Sequence, residues 1–163
     1  MELEELYKEI QPKVFAFFFV KTLHKEAAED LTQEVFYEAI KGLHSFKHQS
    51  TVETWLFSIA KNRMKKHYRT KKYKNQLEAK MRNERIETDS PEDQFIIKET
   101  AVNLIGKIAQ LAEPENEIVI LRVYGELSFR EIGSIIGRSE NYARVTFYRA
   151  KLKLQKEMEG YHG

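Results

Sequence analysis

Residues 127–141 read Leu-Ser-Phe-Arg-Glu-Ile-Gly-Ser-Ile-Ile-Gly-Arg-Ser-Glu-Asn, and few chain geometries accommodate that order. Ser128 and Glu131 have the spacing of a capping box, in which hydroxyl and carboxylate each accept from a free amide at a helix start. Gly137 stands where that helix must stop, and Ser139 is placed to cap the next one. A short capped helix, a glycine turn and a longer capped helix predict a helix-turn-helix.

The rest of the chain favours the same class. With 7 Gly and 3 Pro in 163 residues, turns are few and helices long. Apolar residues recur at helical rather than alternating spacing, so the fold class is all-α. Helices are expected at about 3–22, 26–43, 53–73, 92–111, 115–124, 128–136 and 140–158. Between about 73 and 91 the chain is polar and charged and ends in Thr88-Asp89-Ser90-Pro91-Glu92, where Ser90 and Pro91 are suited to open a helix. This predicts two small helical domains, 1–73 and 92–163, joined by a linker at 74–91 that Leu77, Met81 and several Lys and Glu would permit to be partly helical.

Charge and composition narrow the function. The net charge is +2, so any nucleic-acid signal has to come from clustering. The absence of cysteine excludes disulfides and thiolate metal sites and suits a reducing cytoplasm. The start Met1-Glu2-Leu3-Glu4 lacks the order of a secretory signal, and the apolar run Val14–Val20 is too short to span a bilayer. A cytoplasmic protein not inserted in the membrane is expected. Five histidines are scattered, and His44 and His48 share helical spacing in a presumed loop without a matching carboxylate. No metal or cofactor site is expected. No phosphate loop, nucleophile elbow or H-E-x-x-H is present, so an enzyme is not expected.

Three helix faces carry candidate function. In helix 140–158, Ala143, Phe147, Ala150 and Leu154 form one stripe for the core, and Asn141, Arg144, Val145 and Tyr148 fall opposite. Arg and Asn can pair two-pronged with purine edges and Val can touch a thymine methyl, while Arg149, Lys151 and Lys153 suit phosphates and Arg130, in the preceding helix, a phosphate or a base. In helix 53–73, Trp55, Ser58, Asn62, Lys65, Lys66 and Arg69 share a face, preceded by a loop containing Phe46. Rings, an amide and cations together suit unstacked bases and their phosphates, although Trp55 and Phe46 serve equally as packing. In helix 26–43, Leu31, Val35, Phe36, Ala39, Ile40 and Leu43 are expected to be buried, leaving Asp30, Gln33, Glu34, Tyr37, Glu38 and Lys41 outside. That acidic face suits a protein partner rather than DNA. Helix 115–124 is apolar almost all round and is expected to be a buried scaffold.

Ala28-Glu29-Asp30-Leu31-Thr32-Gln33-Glu34-Val35-Phe36, Thr54-Trp55-Leu56-Phe57-Ser58-Ile59-Ala60-Lys61-Asn62 and Leu127–Ala150 resemble, in order, three motifs of the extracytoplasmic-function (ECF) sigma factors, small initiation factors of bacterial RNA polymerase. The resemblance implies that Asp30, Gln33, Glu34 and Tyr37 meet the β′ clamp helices of core polymerase. It implies that Phe46, Trp55, Ser58, Asn62, Lys65, Lys66 and Arg69 capture the −10 element. Arg130, Ser139, Asn141, Tyr142, Arg144, Val145, Tyr148 and Arg149 would then bind the −35 duplex. It also implies an anti-sigma factor as a partner, a role in stress response, and a linker threading toward the polymerase active centre. Lys66 stands where relatives often carry Asp, and Asn141–Thr146 departs from the common recognition-helix sequence, so promoter preference does not transfer. The alternative reading is a stand-alone helix-turn-helix regulator whose N-terminal helices only dimerise, and a third is an RNA-binding helical protein.

Overall fold

The structure, a computed structural model, describes residues 3–47, 49–81 and 99–162. These residues form helices α1 (Leu3–Thr22), α2 (Lys25–Gly42), α3 (Val52–Met81), α4 (Glu99–Gln110), α5 (Glu115–Val123), α6 (Phe129–Ile136) and α7 (Glu140–His162), with a 3₁₀ turn at Leu43–Ser45. No strand occurs among the described residues.

The N-terminal half is a three-helix unit. Ile10, Val14, Phe17 and Phe18 of α1 are buried with Leu31, Val35 and Ala39 of α2 and Leu56, Phe57, Ala60 and Met64 of α3. Phe17 meets Phe57 edge to face with centroids 5.9 Å apart, a favoured aromatic geometry. The sharp corner between α1 and α2 places Leu23 at a φ of 55°, and His24 caps α2 by accepting from the Ala27 amide at 3.0 Å through Nδ1. Ile40 of α2 and Leu43 of the following 3₁₀ turn depart from expectation: they are 65 % and 45 % exposed. Both residues line an open apolar groove with Tyr7, Phe36, Val52 and Trp55.

The C-terminal half surrounds α5, whose Ile118, Val119, Ile120 and Leu121 are all buried, as its apolar sequence requires. Buried Asn116 donates to the Ile108 carbonyl at 2.8 Å and ties the end of α4 to the start of α5. Ile132 of α6 and Ala143, Ala150 and Leu154 of α7 close this core.

Two boundaries differ from the sequence reading. Helix α3 continues to Met81, past the expected end at 73, because Lys, Gln, Glu, Leu and Ala are good helix formers and no Gly or Pro intervenes. From Lys65 onward its described side chains are exposed apart from the half-buried His67, and Tyr68 still donates to the Lys21 carbonyl of α1 at 3.2 Å. Helix α4 is described from Glu99, and the expected start at Ser90-Pro91 lies outside the described residues. The halves touch where α1 meets α4 and α5, and where α3 meets α6. No described helix is long and apolar enough to cross a membrane.

Candidate nucleic-acid and polymerase interfaces

The helix-turn-helix is built as its sequence dictates. The Ser128 hydroxyl accepts from the Glu131 amide and the Glu131 carboxylate accepts from the Ser128 amide, both at 3.1 Å. Gly137 ends α6 at a φ of 73°, which costs glycine little because it has no Cβ. Ser139 caps α7 by accepting from the Tyr142 amide at 3.0 Å. A second glycine matters for another reason. A Cβ on Gly133 would lie 2.7 Å from the Arg138 carbonyl oxygen, so the backbone of the turn packs directly on α6 at this residue.

On α7, Asn141, Arg144, Val145, Tyr148 and Arg149 are exposed, as are Arg130 and Ser139, while Tyr142 is half-buried. They are braced rather than loose. The Arg144 guanidinium donates to Glu140 at 3.1 Å and lies 5.5 Å from the Phe129 ring centroid. Tyr148 also approaches Phe129, and the Arg138 guanidinium stands 5.0 Å above the Tyr142 ring. Phe129 is thus a hub for the whole face, with Arg122 stacked at 4.2 Å on it. That role was not evident from spacing, because Phe129 reads as one more apolar core residue.

The N-terminal face is assembled across elements. The rings of Phe46 and Trp55 stack with centroids 4.8 Å apart and an interplanar angle of 27°. Both are half-buried, so each has one part committed to packing and another open to solvent. Ser58 is half-buried and donates back to the Thr54 carbonyl at 2.9 Å. Asn62, Lys65, Lys66 and Arg69 are exposed and follow one another along α3. Beside them, burial and the Lys71 charge lower the His67 pKa, which favours the neutral imidazole.

Asp30, Gln33, Glu34 and Tyr37 are exposed on α2, with the Tyr37 ring under the Lys41 ammonium at 4.8 Å. Arg63 of α3 binds Glu38 at 2.7 Å and reaches Glu34 at 3.8 Å. This cation fixes the acidic face against the basic helix, a cross-helix pairing that helical spacing within α2 cannot reveal. No group of His, Asp and Glu suited to hold a metal ion occurs among the described residues.

Comparison with known proteins resolves the identity. Residues 6–73 match sigma-70 region 2 and residues 101–154 match sigma-70 region 4. The RNA polymerase sigma factor YlaC of Bacillus subtilis is 33% identical over 96% of this chain and 91% of its own length. The chain belongs to the ECF sigma factors. The ECF sigma factor SigM of the same organism is 30% identical, over 95% of this chain and 94% of its own length. In fold, the sigma factor RpoE of Bartonella quintana, solved with the anti-sigma factor NepR, superposes with a TM-score of 0.75 at 20% identity, covering 96% of each chain. A second neighbour, CnrH solved with the cytosolic domain of CnrY, has a TM-score of 0.68 at 18% identity, covering 96% of this chain and 87% of the other. As an ECF sigma factor the protein is a transcription initiation factor that directs RNA polymerase to promoters. Both halves match in the family's order, so the stand-alone regulator is not favoured. The family is one of regulatory transcription factors.

Proposed function

We propose a division of labour along the chain, residue by residue. Residues 1–73 hold core polymerase through Asp30, Gln33, Glu34 and Tyr37, and capture melted −10 bases through Phe46, Trp55, Ser58, Asn62, Lys65, Lys66 and Arg69. Residues 92–163 dock on the −35 duplex through Arg130, Ser139, Asn141, Tyr142, Arg144, Val145, Tyr148 and Arg149, with 74–91 as the connection. The observation that carries this reading is the pair of helices α3 and α7. Each buries one apolar stripe and leaves an opposite face bearing cations and an amide exposed. Cations neutralise phosphates, the amides and Arg144 address base edges, and the Phe46–Trp55 pair offers a ring surface to an unstacked base.

The protein itself breaks and makes no bonds in this scheme and works in the cytoplasm. Its affinity for promoters arises from tethering both halves on one polymerase. The relatives solved with anti-sigma factors support a partner of that kind here, and the apolar groove beside Ile40 and Leu43 is an exposed surface for it.

Run-off transcription with core polymerase and a promoter library tests the scheme. Activity should require both elements, and free protein should bind promoter duplex weakly at near-physiological salt. Nanomolar binding by the free protein would overturn the tethering. Affinity isolation from unstressed cells should recover an anti-sigma partner; stoichiometric polymerase alone would count against it.

A further inference from the structure

Arg144 is proposed above to read a base of the −35 element, and its own helix holds it weakly. The Glu140 carboxylate accepts from it at 3.1 Å, but the two side chains are 46 % and 50 % exposed. An exposed ion pair one turn apart on a helix is screened by water and salt, and it fixes a long side chain poorly. Two-pronged pairing with a base edge needs the planar guanidinium in one orientation. A second restraint comes from another helix.

That restraint is the Phe129 ring at the start of α6, whose centroid lies 5.5 Å from the Arg144 guanidinium carbon. The ring is itself fixed. Phe129 is only 8 % exposed, and Phe147 of α7 packs on it with centroids 5.5 Å apart. The Arg122 guanidinium of α5 lies over the same ring at 4.2 Å. Arg122 is anchored in turn, donating through Nη1 to the Leu127 carbonyl at 2.9 Å. One ring thus joins α5, α6 and α7, and its electron-rich face attracts both guanidinium groups.

Volume alone does not account for an aromatic residue here. A leucine would keep most of the buried contact, but it has no π face to hold a guanidinium. We propose that Phe129, backed by Arg122, is a positioning residue: it aims Arg144 and so sets how sharply one −35 base is read. This rests on the assignment of the −35 face given above. The consequence is for selectivity more than for affinity. An Arg144 released from the ring still reaches phosphates, which carry no sequence information, so binding persists while discrimination falls.

Holoenzyme assembled with core polymerase, and measured for binding to promoters carrying each base at each −35 position, tests the proposal. Phe129→Leu should lower discrimination about 3–5-fold at the one position that Arg144→Ala relaxes, while the −10 element is read as before. Phe129→Tyr keeps the ring and should keep the discrimination. In the Arg144→Ala background, Phe129→Leu should have no further effect at that position, because residues that act as one unit are not additive. An equal loss on all base variants, or an undiminished effect in that background, would overturn the proposal and leave Phe129 as packing.

Two further measurements do not depend on how Phe129→Leu folds. Arg122→Lys keeps the charge and a donor for the Leu127 carbonyl but loses the flat stack on the ring. It should lower discrimination at the same position by a smaller factor, and an unchanged pattern would overturn the backing by Arg122. In the free, unmodified protein, nuclear relaxation of the Arg144 Nε–H should report an ordered side chain, with proton cross-relaxation joining it to the Phe129 ring. A mobile Arg144 without that contact would overturn the positioning role. If Arg144→Ala alters selectivity at no −35 position, the assignment of the face fails instead, and the Arg144–Phe129 contact in solution then judges the positioning.

Discussion

Helices α3 and α7 both present cations and an amide to solvent, yet they are held in place by different means. The outer face of α7 is braced within its own module: Ser139 caps it, Glu140 holds Arg144, and Phe129 supports Arg144 and Tyr148 from the next helix back. The outer face of α3 is braced by distant parts of the chain. Arg63 is held by Glu38 and Glu34, and Lys61 by Glu117 and the Ile135 carbonyl; the Phe46 ring on Trp55 is the local exception. A surface whose supports lie within about twenty residues can form whenever its helices form. A surface supported across long loops depends on the whole fold. The −35 module should therefore tolerate damage elsewhere in the protein, and the −10 surface should not.

The largest effect should come from the core under α3. Phe57 is fully buried, and Phe57→Ala should cost about 3–5 kcal/mol of stability. Half-exposed Trp55 should cost clearly less when truncated, with the deficit falling on open-complex formation and partly relieved by a pre-melted −10 bubble. Stacking on a base is worth about 1–3 kcal/mol. Thermal unfolding and transcription from duplex and bubble templates decide this. A Trp55→Ala protein as unstable as Phe57→Ala, equally impaired on both templates, would make Trp55 a packing residue.

Next in size is Arg144→Ala, expected to cost about 1–3 kcal/mol of discrimination at one −35 position. Fold and −10 opening should be unaffected, because Arg144 is exposed and its supports are local. Binding across all base variants of the −35 element is the measurement, and a uniform loss would reduce Arg144 to a phosphate contact.

Ser128→Ala removes a cap and should destabilise by about 1 kcal/mol. The comparison is sharpened by where that loss appears in hydrogen exchange: amides of α6 and the turn should open first, and those of α1 and α2 should hold. Uniform loss of protection would show the halves to unfold as one unit.

The smallest effect is on pH. Burial pushes the Glu131 carboxyl up, but the bonds it accepts from Ser128, Thr54 and Thr51 more than offset this and hold its pKa below the ordinary value. A lowered folded value contributes stability that is present above the ordinary glutamate range and fades as pH falls through the folded value. Glu131→Gln should flatten that part of the acid unfolding profile, and an unchanged profile would remove Glu131 from it.

The sequence alone determined much of the C-terminal half. Ser128, Glu131, Gly137 and Ser139 act through bonds that close within four residues or through their own backbone angles, and such interactions are legible in spacing. The apolar stripe of α7 and the all-round apolarity of α5 were legible for the same reason, since helical periodicity fixes which residues share a face. Tertiary structure decided the rest. Ile40 and Leu43 carry the same pattern as Leu31 and Val35, yet they are exposed, because burial depends on whether a neighbouring helix reaches that far. Likewise α3 outruns its packing partners, because propensity continues a helix where no breaker stops it. Lys21, Lys61, Glu113 and Glu117 have no local signature. Their pairing exists only once α1 and α3 are laid against α4, α5 and α6, since the attraction of charges depends on distance in space and not along the chain.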